Sequence, residues 1–321
     1  MASLDKIVLV TRHTRLQDLI ERFNTRAQAR FTIERAGGNF ADYEQEDDVY
    51  RRSLDTLLHT LDLGLKLQVV DRGFVPTFLF TPEDLVITLG QDGLVANTAK
   101  YALGRPIVAV NPDPGRFDGI LLPFLPDKAR GAIEAVLGGR AQVREVTLAE
   151  ASLSDGQRML AFNDLFIGAQ SHVSARYRLT FAERAEAQSS SGVLVSTGAG
   201  STGWMSSVFT MAAGVAALIG GSPNLHPLRL DWEDPRLLFA VREPFVSRHS
   251  SAGVVAGMLE QGQALELESL MPSGGVIFSD GVEADFVQFN SGVMARVKAA
   301  EQRARLVVGT DKALASSSRR A

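Results

Sequence analysis

Asp84–Gly93, DLVITLGQDG, decides how the rest of the chain is read. An apolar run of strand type (Leu85, Val86, Ile87, Leu89) ends in Gly90-Gln91-Asp92-Gly93, and Leu94 to Leu103 follow with helical spacing. Strand, glycine-bearing turn and helix in that order is how an α/β domain presents backbone N–H groups to a phosphate. A carboxylate inside such a turn repels phosphate. Asp92 is therefore expected to have a chemical task, accepting a proton from an attacking hydroxyl or helping to hold a metal. Taken alone, the four letters also describe a plain Asp-Gly turn.

On either side of this stretch the chain alternates. Lys6–Thr11 (KIVLVT) reads as a first strand, Leu67–Asp71 as a second, Leu85–Leu89 as a third and Pro106–Val110 (PIVAV) as a fourth. The fourth closes in the turn Asn111-Pro112-Asp113-Pro114-Gly115. Helical spacing over Leu16–Ala29 and Val49–Leu61 places two helices after the first strand, with Gly37-Gly38-Asn39 and the acidic Glu44–Asp48 as a solvated loop between them. This order predicts an open, mostly parallel, Rossmann-like α/β sheet whose ligands sit beyond the carboxyl ends of the strands. Asp92 and the Asn111–Gly115 turn both fall at such ends.

After a helix near Lys128–Leu137 the character changes. Gln142–Leu148, Arg158–Ile167, Tyr177–Phe181, Gly192–Ser196, Leu237–Val241, Ala264–Ser269, Gly275–Ser279, Phe286–Asn290 and Gly292–Lys298 read as strands, with Ser201–Ile219 as the one clear helix. The expected organisation is an α/β nucleotide-binding domain over 1–128 and a mainly β dinucleotide-binding domain over 129–300. Residues 301–321 hold a last strand, Arg305–Val308, returning to the first domain, and a mobile tail, Ala313–Ala321.

The 321 residues suit two domains, and 45% hydrophobic with 22% charged residues can bury a core. A net charge of −4 gives no pull toward nucleic acid or an acidic membrane. The absence of cysteine excludes disulfides, thiolate metal sites and a cysteine nucleophile, and suits a cytoplasmic setting. Met1 to Lys6 leads straight into a strand, so no signal or transit peptide is expected. Trp204 to Leu228 lacks charge but is rich in small residues and contains Pro223 and Pro227, which predicts a buried helix rather than a membrane span. His13, His59, His172, His226 and His249 lack metal-ligand spacing, and no metal ligand is assigned.

Two further segments stand out. Ser196-Thr197-Gly198-Ala199-Gly200-Ser201-Thr202-Gly203-Trp204 follows a strand and opens a helix, which makes an anion- or amide-binding lip, with Ser201 or Thr202 also suited to cap the helix. In Ala161–Ile167, AFNDLFI, an amide and a carboxylate interrupt an apolar strand, so Asn163 and Asp164 need hydrogen bonds or a ligand unless the strand bulges or lies at an edge. Arg242-Glu243 reads as a surface or interdomain ion pair, and Asp280 as part of a β-turn.

Taken in order, the strand and Gly-x-Asp-Gly turn, Val110–Pro114, Asn163–Gly168, Ser196–Trp204, Val241–Phe245 and Ser279-Asp280-Gly281 resemble the NAD kinase family, the second half being most similar to its mitochondrial type. The resemblance spans about residues 5 to 308. It implies the two-domain NAD kinase fold and transfer of the γ-phosphoryl group of ATP, with Mg²⁺, to the adenosine ribose 2′-hydroxyl of NAD. Polyphosphate is a second donor to consider. Asp92 then matches the base, Gly90, Gln91, Gly93 and Asn111 the nucleotide turns, and Asn163 and Asp164 the dinucleotide-holding pair. Thr197, Gly198, Gly200, Ser201, Thr202, Gly203 and Trp204 match the lip of that pocket. The resemblance also implies a homodimer or homotetramer. The chain departs from the family at Gln91 and Leu94, where Gly and Thr are usual, at Asp164 for Glu, at Ser191 for Asp and at Trp204 for Tyr. A kinase for a lipid or sugar hydroxyl and an NAD-binding protein without turnover are the alternatives.

Overall fold

The computed structural model describes residues 4–102, 104–221 and 228–309. Its contacts divide the chain into two units, Met1–Arg144 with Arg305–Ala321, and Glu145–Ala304. The expected boundaries were 128/129 and 300/301. The helix before Arg144 groups with the first unit because Ala129, Ile133 and Val136 pack into its core.

In the first unit, β1 (Lys6–Thr11) leads through α1 (Arg15–Phe23), α2 (Arg26–Arg35) and α3 (Phe40–Thr60) to β2 (Lys66–Asp71). Then come β3 (Asp84–Leu89), α4 (Asp92–Tyr101), β4 (Pro106–Val110) and α5 (Ala129–Leu137). The strands pair in the order β2-β1-β3-β4, all parallel. Every residue of β3 is buried, as a continuous apolar run between two parallel neighbours should be. Ile7, Leu9, Ile87, Leu89, Val108 and Val110 share a core with Leu57 of α3 and Ile133 of α5.

Two expectations are corrected here. Leu16–Ala29 is not one helix: Asn24 takes the left-handed conformation (φ 63°) that ends α1, and the Thr25 hydroxyl accepts the Gln28 N–H to start α2. Hydrophobic spacing runs across such a break without registering it. Glu44–Asp48 is not a loop. Asn39 accepts the Ala41 N–H and starts α3 at Phe40, and Glu46 and Asp47 are buried within it.

The second unit is built from β5 (Val143–Leu153), β6 (Arg158–Ala161), β7 (Asp164–Ala169), β8 (Ala175–Phe181), β9 (Arg184–Ser190), β10 (Val193–Ser196), α6 (Trp204–Leu218), β11 (Leu237–Val241), β12 (Ala256–Leu259), β13 (Leu265–Ser269), β14 (Gly275–Ser279), β15 (Phe286–Gln288) and β16 (Met294–Val307). One antiparallel sheet runs β12-β11-β10-β7-β14-β15, and β16-β13-β8-β9 pair antiparallel opposite it. Leu165, Ile167, Val195, Phe239 and Ile277 of the first meet Tyr177, Leu179, Leu265, Leu267 and Val297 of the second in one sandwich core. In the first unit, Arg305 and Leu306 at the end of β16 pair in parallel with Pro106 and Ile107.

Arg158–Ile167 is broken at Phe162-Asn163 into two strands, and Gly292–Lys298 and Arg305–Val308 lie in one, β16. β9 and β12 were not expected. The helix expected from Ser201 begins at Trp204 after a 3₁₀ turn over Gly200–Thr202, and it is not buried. Only Met205 is fully enclosed. Trp204, Val208 and Phe209 rest on Leu194, Leu238 and Ala240, while Met211, Val215 and Leu218 are exposed. An uncharged composition therefore does not place this helix inside the core. Among the described residues no helix is long and apolar enough to cross a membrane. Leu103, Pro223, His226, Pro227 and the tail Ala313–Ala321 lie outside the described residues.

Candidate functional site

Because its strands are parallel, the first unit brings the carboxyl ends of β1, β3 and β4 to one edge. Gly90 is buried there and donates to the Val110 carbonyl (3.3 Å). A Cβ on Gly90 would come within 2.7 Å of Leu94 Cδ2, so the turn is closed tightly by glycine. Gln91 is exposed at the N-cap without a side-chain cap bond, and Asp92 opens α4 half-buried. One Asp92 oxygen, Oδ1, accepts the Leu121 N–H at 2.7 Å. Oδ2 is left for a ligand. Gly93 is exposed, and a Cβ there would meet nothing within 4 Å. Asn111 spends both ends of its amide on its own turn, accepting from Asp113 N (3.0 Å) and donating to Phe117 O (3.1 Å).

Five residues at this edge escape a reading of sequence. Tyr50 of α3 accepts the Arg12 N–H and donates to the Leu89 carbonyl, tying the ends of β1 and β3 together, and burial pushes its hydroxyl pKa up. Arg12, Arg15 and Arg116 converge on Glu46 at 3.2, 2.5 and 3.9 Å. Burial works against the charge of Glu46, yet hydrogen bonds from Arg15 and Arg12 hold its carboxyl below the ordinary range.

In the second unit Asp280 organises the step between β6 and β7. It takes the left-handed conformation (φ 54°), and its carboxylate accepts the N–H groups of Phe162 (3.1 Å), Asn163 (2.6 Å) and Asp164 (3.3 Å). It is thus more than a turn residue. Thr197 donates its hydroxyl to the Phe162 carbonyl (2.6 Å) and its N–H to the Asn163 carbonyl (2.9 Å). A Cβ on Gly198 would lie 1.9 Å from the Asp231 carbonyl, and one on Gly200 would lie 2.3 Å from that of Asn163. Ser201 donates to Gly198 O and accepts from Leu230 N. These four residues build the lip, leaving exposed Thr202 and Gly203 and half-buried Trp204 to face a ligand. Neither Ser201 nor Thr202 caps α6; Gly203 holds that position without a side-chain bond.

Asp164 is 9% exposed, and its Oδ1 has no hydrogen-bond partner. Burial pushes its carboxyl up to about 7; a hydrogen bond from Ser196 opposes this and the neighbouring Asp280 charge adds to it. Two residues along β7, on the same face, Phe166 lies parallel to Trp204 (5.9 Å between centroids, 8°) and stacks on Phe278 at 4.8 Å. Arg242 sits over both the Trp204 and Phe166 rings, at 5.3 and 5.9 Å. Its contact with Glu243 is long, 3.9 Å, so its place is against the rings rather than in a simple ion pair. Phe166, Trp204, Phe278, Arg242 and Ser191 line a cavity of about 770 Å³. The aromatic pair was not apparent from sequence, where Phe166 reads as one more apolar strand residue.

No family model matches the sequence. It is 30% identical over 158 residues to an NAD kinase of Chlorobium phaeobacteroides, covering 48% of this chain and 54% of the relative. It is 31% identical over 193 residues to an NAD kinase of Heliobacterium modesticaldum, covering 53% and 63%. The chain thus spans about half the length of the curated relatives it matches. Among solved structures it superposes on yeast NADH kinase complexed with NADH at a TM-score of 0.57 and 16% identity, over 96% of this chain and 84% of that one. It also superposes on an NAD kinase from Archaeoglobus fulgidus in complex with ATP at 0.51 and 14%, over 95% and 94%. At those identities the likeness is one of fold, an α/β unit with a parallel sheet followed by a β-rich unit. The relatives this chain resembles in sequence are NAD kinases, and those it resembles in fold are an NADH kinase and an NAD kinase.

Proposed function

We propose that the chain is an NAD kinase that transfers the γ-phosphoryl group of ATP to the adenosine ribose 2′-hydroxyl of NAD, giving NADP and ADP. Its second-half motifs favour the mitochondrial type. The observation that carries the reading is Asp92, a carboxylate at the start of α4 with one oxygen fixed by the Leu121 N–H and the other open. In this role Asp92 takes the proton of the 2′-hydroxyl while the bond from that oxygen to phosphorus forms and the bond from phosphorus to ADP breaks. The first N–H groups of α4 point the same way and suit phosphate oxygens.

Among the described residues Asp92 belongs to no group of three or more acidic or histidine side chains placed to share a metal ion. Mg²⁺, when bound with the donor, would offset negative charge on its phosphate oxygens, held by those oxygens and water rather than by the Asp92 oxygen that takes the proton. In the second unit Asn163 and Asp164 are proposed to hold ribose hydroxyls. Asp164, near half ionisation at neutral pH, can serve as donor or acceptor. The parallel Phe166 and Trp204 rings offer a flat platform to a nicotinamide or adenine ring.

The test is NADP formation from NAD, Mg²⁺ and ATP, repeated with Asp92→Asn. The variant is expected to lose at least about a hundredfold in kcat while binding NAD normally. Full turnover in Asp92→Asn would sink the assignment of the base. NAD binding without turnover from ATP or polyphosphate in the wild type would sink the kinase reading.

A further inference from the structure

His13 stands between the end of β1 and the start of α1, and carboxylates from two elements surround its ring. Nδ1 lies 3.5 Å from an Asp18 oxygen and 3.6 Å from a Glu21 oxygen, and Nε2 lies 3.9 Å from Asp71 Oδ2 at the end of β2. Asp18 and Glu21 are three residues apart on α1 and so share a face. The ligand atoms of His13, Asp18 and Glu21 all lie within 4.8 Å of one another, and all three residues are exposed. Comparing histidine with histidine along the chain misses this group, because its other members are carboxylates that the turn from β1 into α1 brings round.

The spacing is too long for hydrogen bonds, whose N···O distances run to roughly 3.2 Å. It suits a coordination sphere. Zinc bonds to imidazole nitrogen and carboxylate oxygen are about 2.0–2.2 Å long, so neighbouring ligands at the corners of a tetrahedron lie about 3.4 Å apart. Charge points the same way. Three carboxylates surround an imidazole that carries at most one positive charge, and the adjacent Arg12 and Arg15 are engaged by Glu46. Asp71 adds an independent observation. Its Oδ1 is held by the Gly73 N–H (2.8 Å), which leaves Oδ2 toward the ring nitrogen opposite Asp18 and Glu21. A carboxylate behind a histidine is the usual arrangement at a metal, because it fixes the tautomer and leaves the other nitrogen free to ligate. The frame is also fixed: Thr14 and Gln17 cap α1 reciprocally, Thr14 donates to Asp47 (2.6 Å), and the His13 carbonyl accepts from Arg12 Nη1 (3.0 Å).

We propose that His13, Asp18 and Glu21 bind a divalent transition-metal ion, zinc by ligand type, with water completing the tetrahedron and Asp71 orienting the imidazole. The ion pins the first turns of α1 to the segment that enters them and, through Asp71, to the end of β2. In the strand order β2-β1-β3-β4, β2 borders β1 on the side away from β3, so the site belongs to the outer part of the sheet rather than to the turn that carries Asp92. It does not depend on the kinase reading.

The experiment is calorimetric titration of the chelator-treated full chain with zinc chloride, in the presence of excess magnesium chloride. One zinc ion per chain is expected, with a rise in Tm on saturation. His13→Gln and Glu21→Gln, both at exposed positions, are expected to weaken zinc about tenfold or more and to lose the rise in Tm, and Asp71→Asn to weaken it about tenfold. His249→Gln, which alters an exposed histidine of the second unit, should change the affinity less than about twofold. Wild-type protein that takes up no zinc at a saturable site would overturn the proposal. So would zinc binding that persists unchanged in His13→Gln, which is an adventitious ion only, or zinc that magnesium displaces, which is an acidic patch without an imidazole ligand. The titration needs no turnover, so its failure and a failure of the NADP assay are separate results.

Discussion

A buried carboxyl group with an unpartnered oxygen ties folding to pH, and Asp164 allows the sign to be worked out. Its native pKa of about 7 lies above the ordinary 3.8. Between those values the native state keeps a proton that the unfolded chain releases. Its contribution is therefore complete below about pH 4 and is lost as pH rises through 7. The gap corresponds to roughly 4 kcal/mol. Asp164→Asn should remove this slope, so that wild type loses roughly 2 to 3 kcal/mol relative to the variant between pH 5 and pH 8. Urea unfolding at both pH values measures it, and a constant difference would show that the carboxyl is not desolvated. Gly192 permits a second prediction. Its φ of +105° and the 2.7 Å approach of a Cβ to Phe166 Cε2 both require glycine. Gly192→Ala should cost about 2 kcal/mol or more and displace the Phe166 ring, weakening NAD binding; unchanged affinity would remove Phe166 from the site. The place of Asp92, after β3 and at the start of α4, was legible in the sequence because strand, glycine and helix frame it locally. Arg12, Glu46 and Arg116 were not, because they meet only through the sheet's folding, and a charged residue read singly looks solvated.

At the scale of elements, the parallel strands were legible for a simple reason. β1, β3 and β4 are unbroken β-branched and leucine runs that only a doubly covered sheet explains. β9, Arg184–Ser190, has no such run, and it forms because β8 offers it a full antiparallel ladder from Ala175 to Phe181. The step between β6 and β7 was visible as a misplaced Asn-Asp pair, but not its cause, since Asp280 lies over a hundred residues away in sequence. Removing that cause has a defined result. Asp280→Ala leaves the N–H groups of Phe162, Asn163 and Asp164 without their acceptor and places a Cβ-bearing residue with no polar tip at φ 54°. A loss of about 3 kcal/mol or more is expected. Asp280→Asn, which tolerates that conformation and keeps one acceptor oxygen, should lose clearly less. Equal losses in chemical denaturation would mean that the backbone conformation, not the hydrogen bonds, is what Asp280 supplies.

For the whole molecule, the chemistry is distributed between two units with separate cores. The features proposed to meet the phosphoryl donor, Gln91 and Asp92 among them, belong to the α/β unit. The features proposed to hold the dinucleotide, Asn163, Asp164, Phe166, Trp204 and Arg242, belong to the β-rich unit. Each set is held by bonds within its own unit: Leu121 to Asp92 in one, Asp280 and Thr197 to the β6–β7 step in the other. A ligand that stabilises a native segment slows its local opening in proportion to occupancy. Hydrogen exchange with tripolyphosphate alone should therefore slow amides near 90–94 and 121 and leave the β-rich unit unchanged. Saturating NAD should slow those of 162–168 and 196–205 by about a hundredfold at a hundred times its Kd. Protection of 162–168 by tripolyphosphate alone would contradict this division, because the bonds that hold that segment come from Asp280 and Thr197 of its own unit. Absence of any NAD protection over 162–168 and 196–205 would remove the β-rich unit from dinucleotide recognition and leave its aromatic cavity to another ligand.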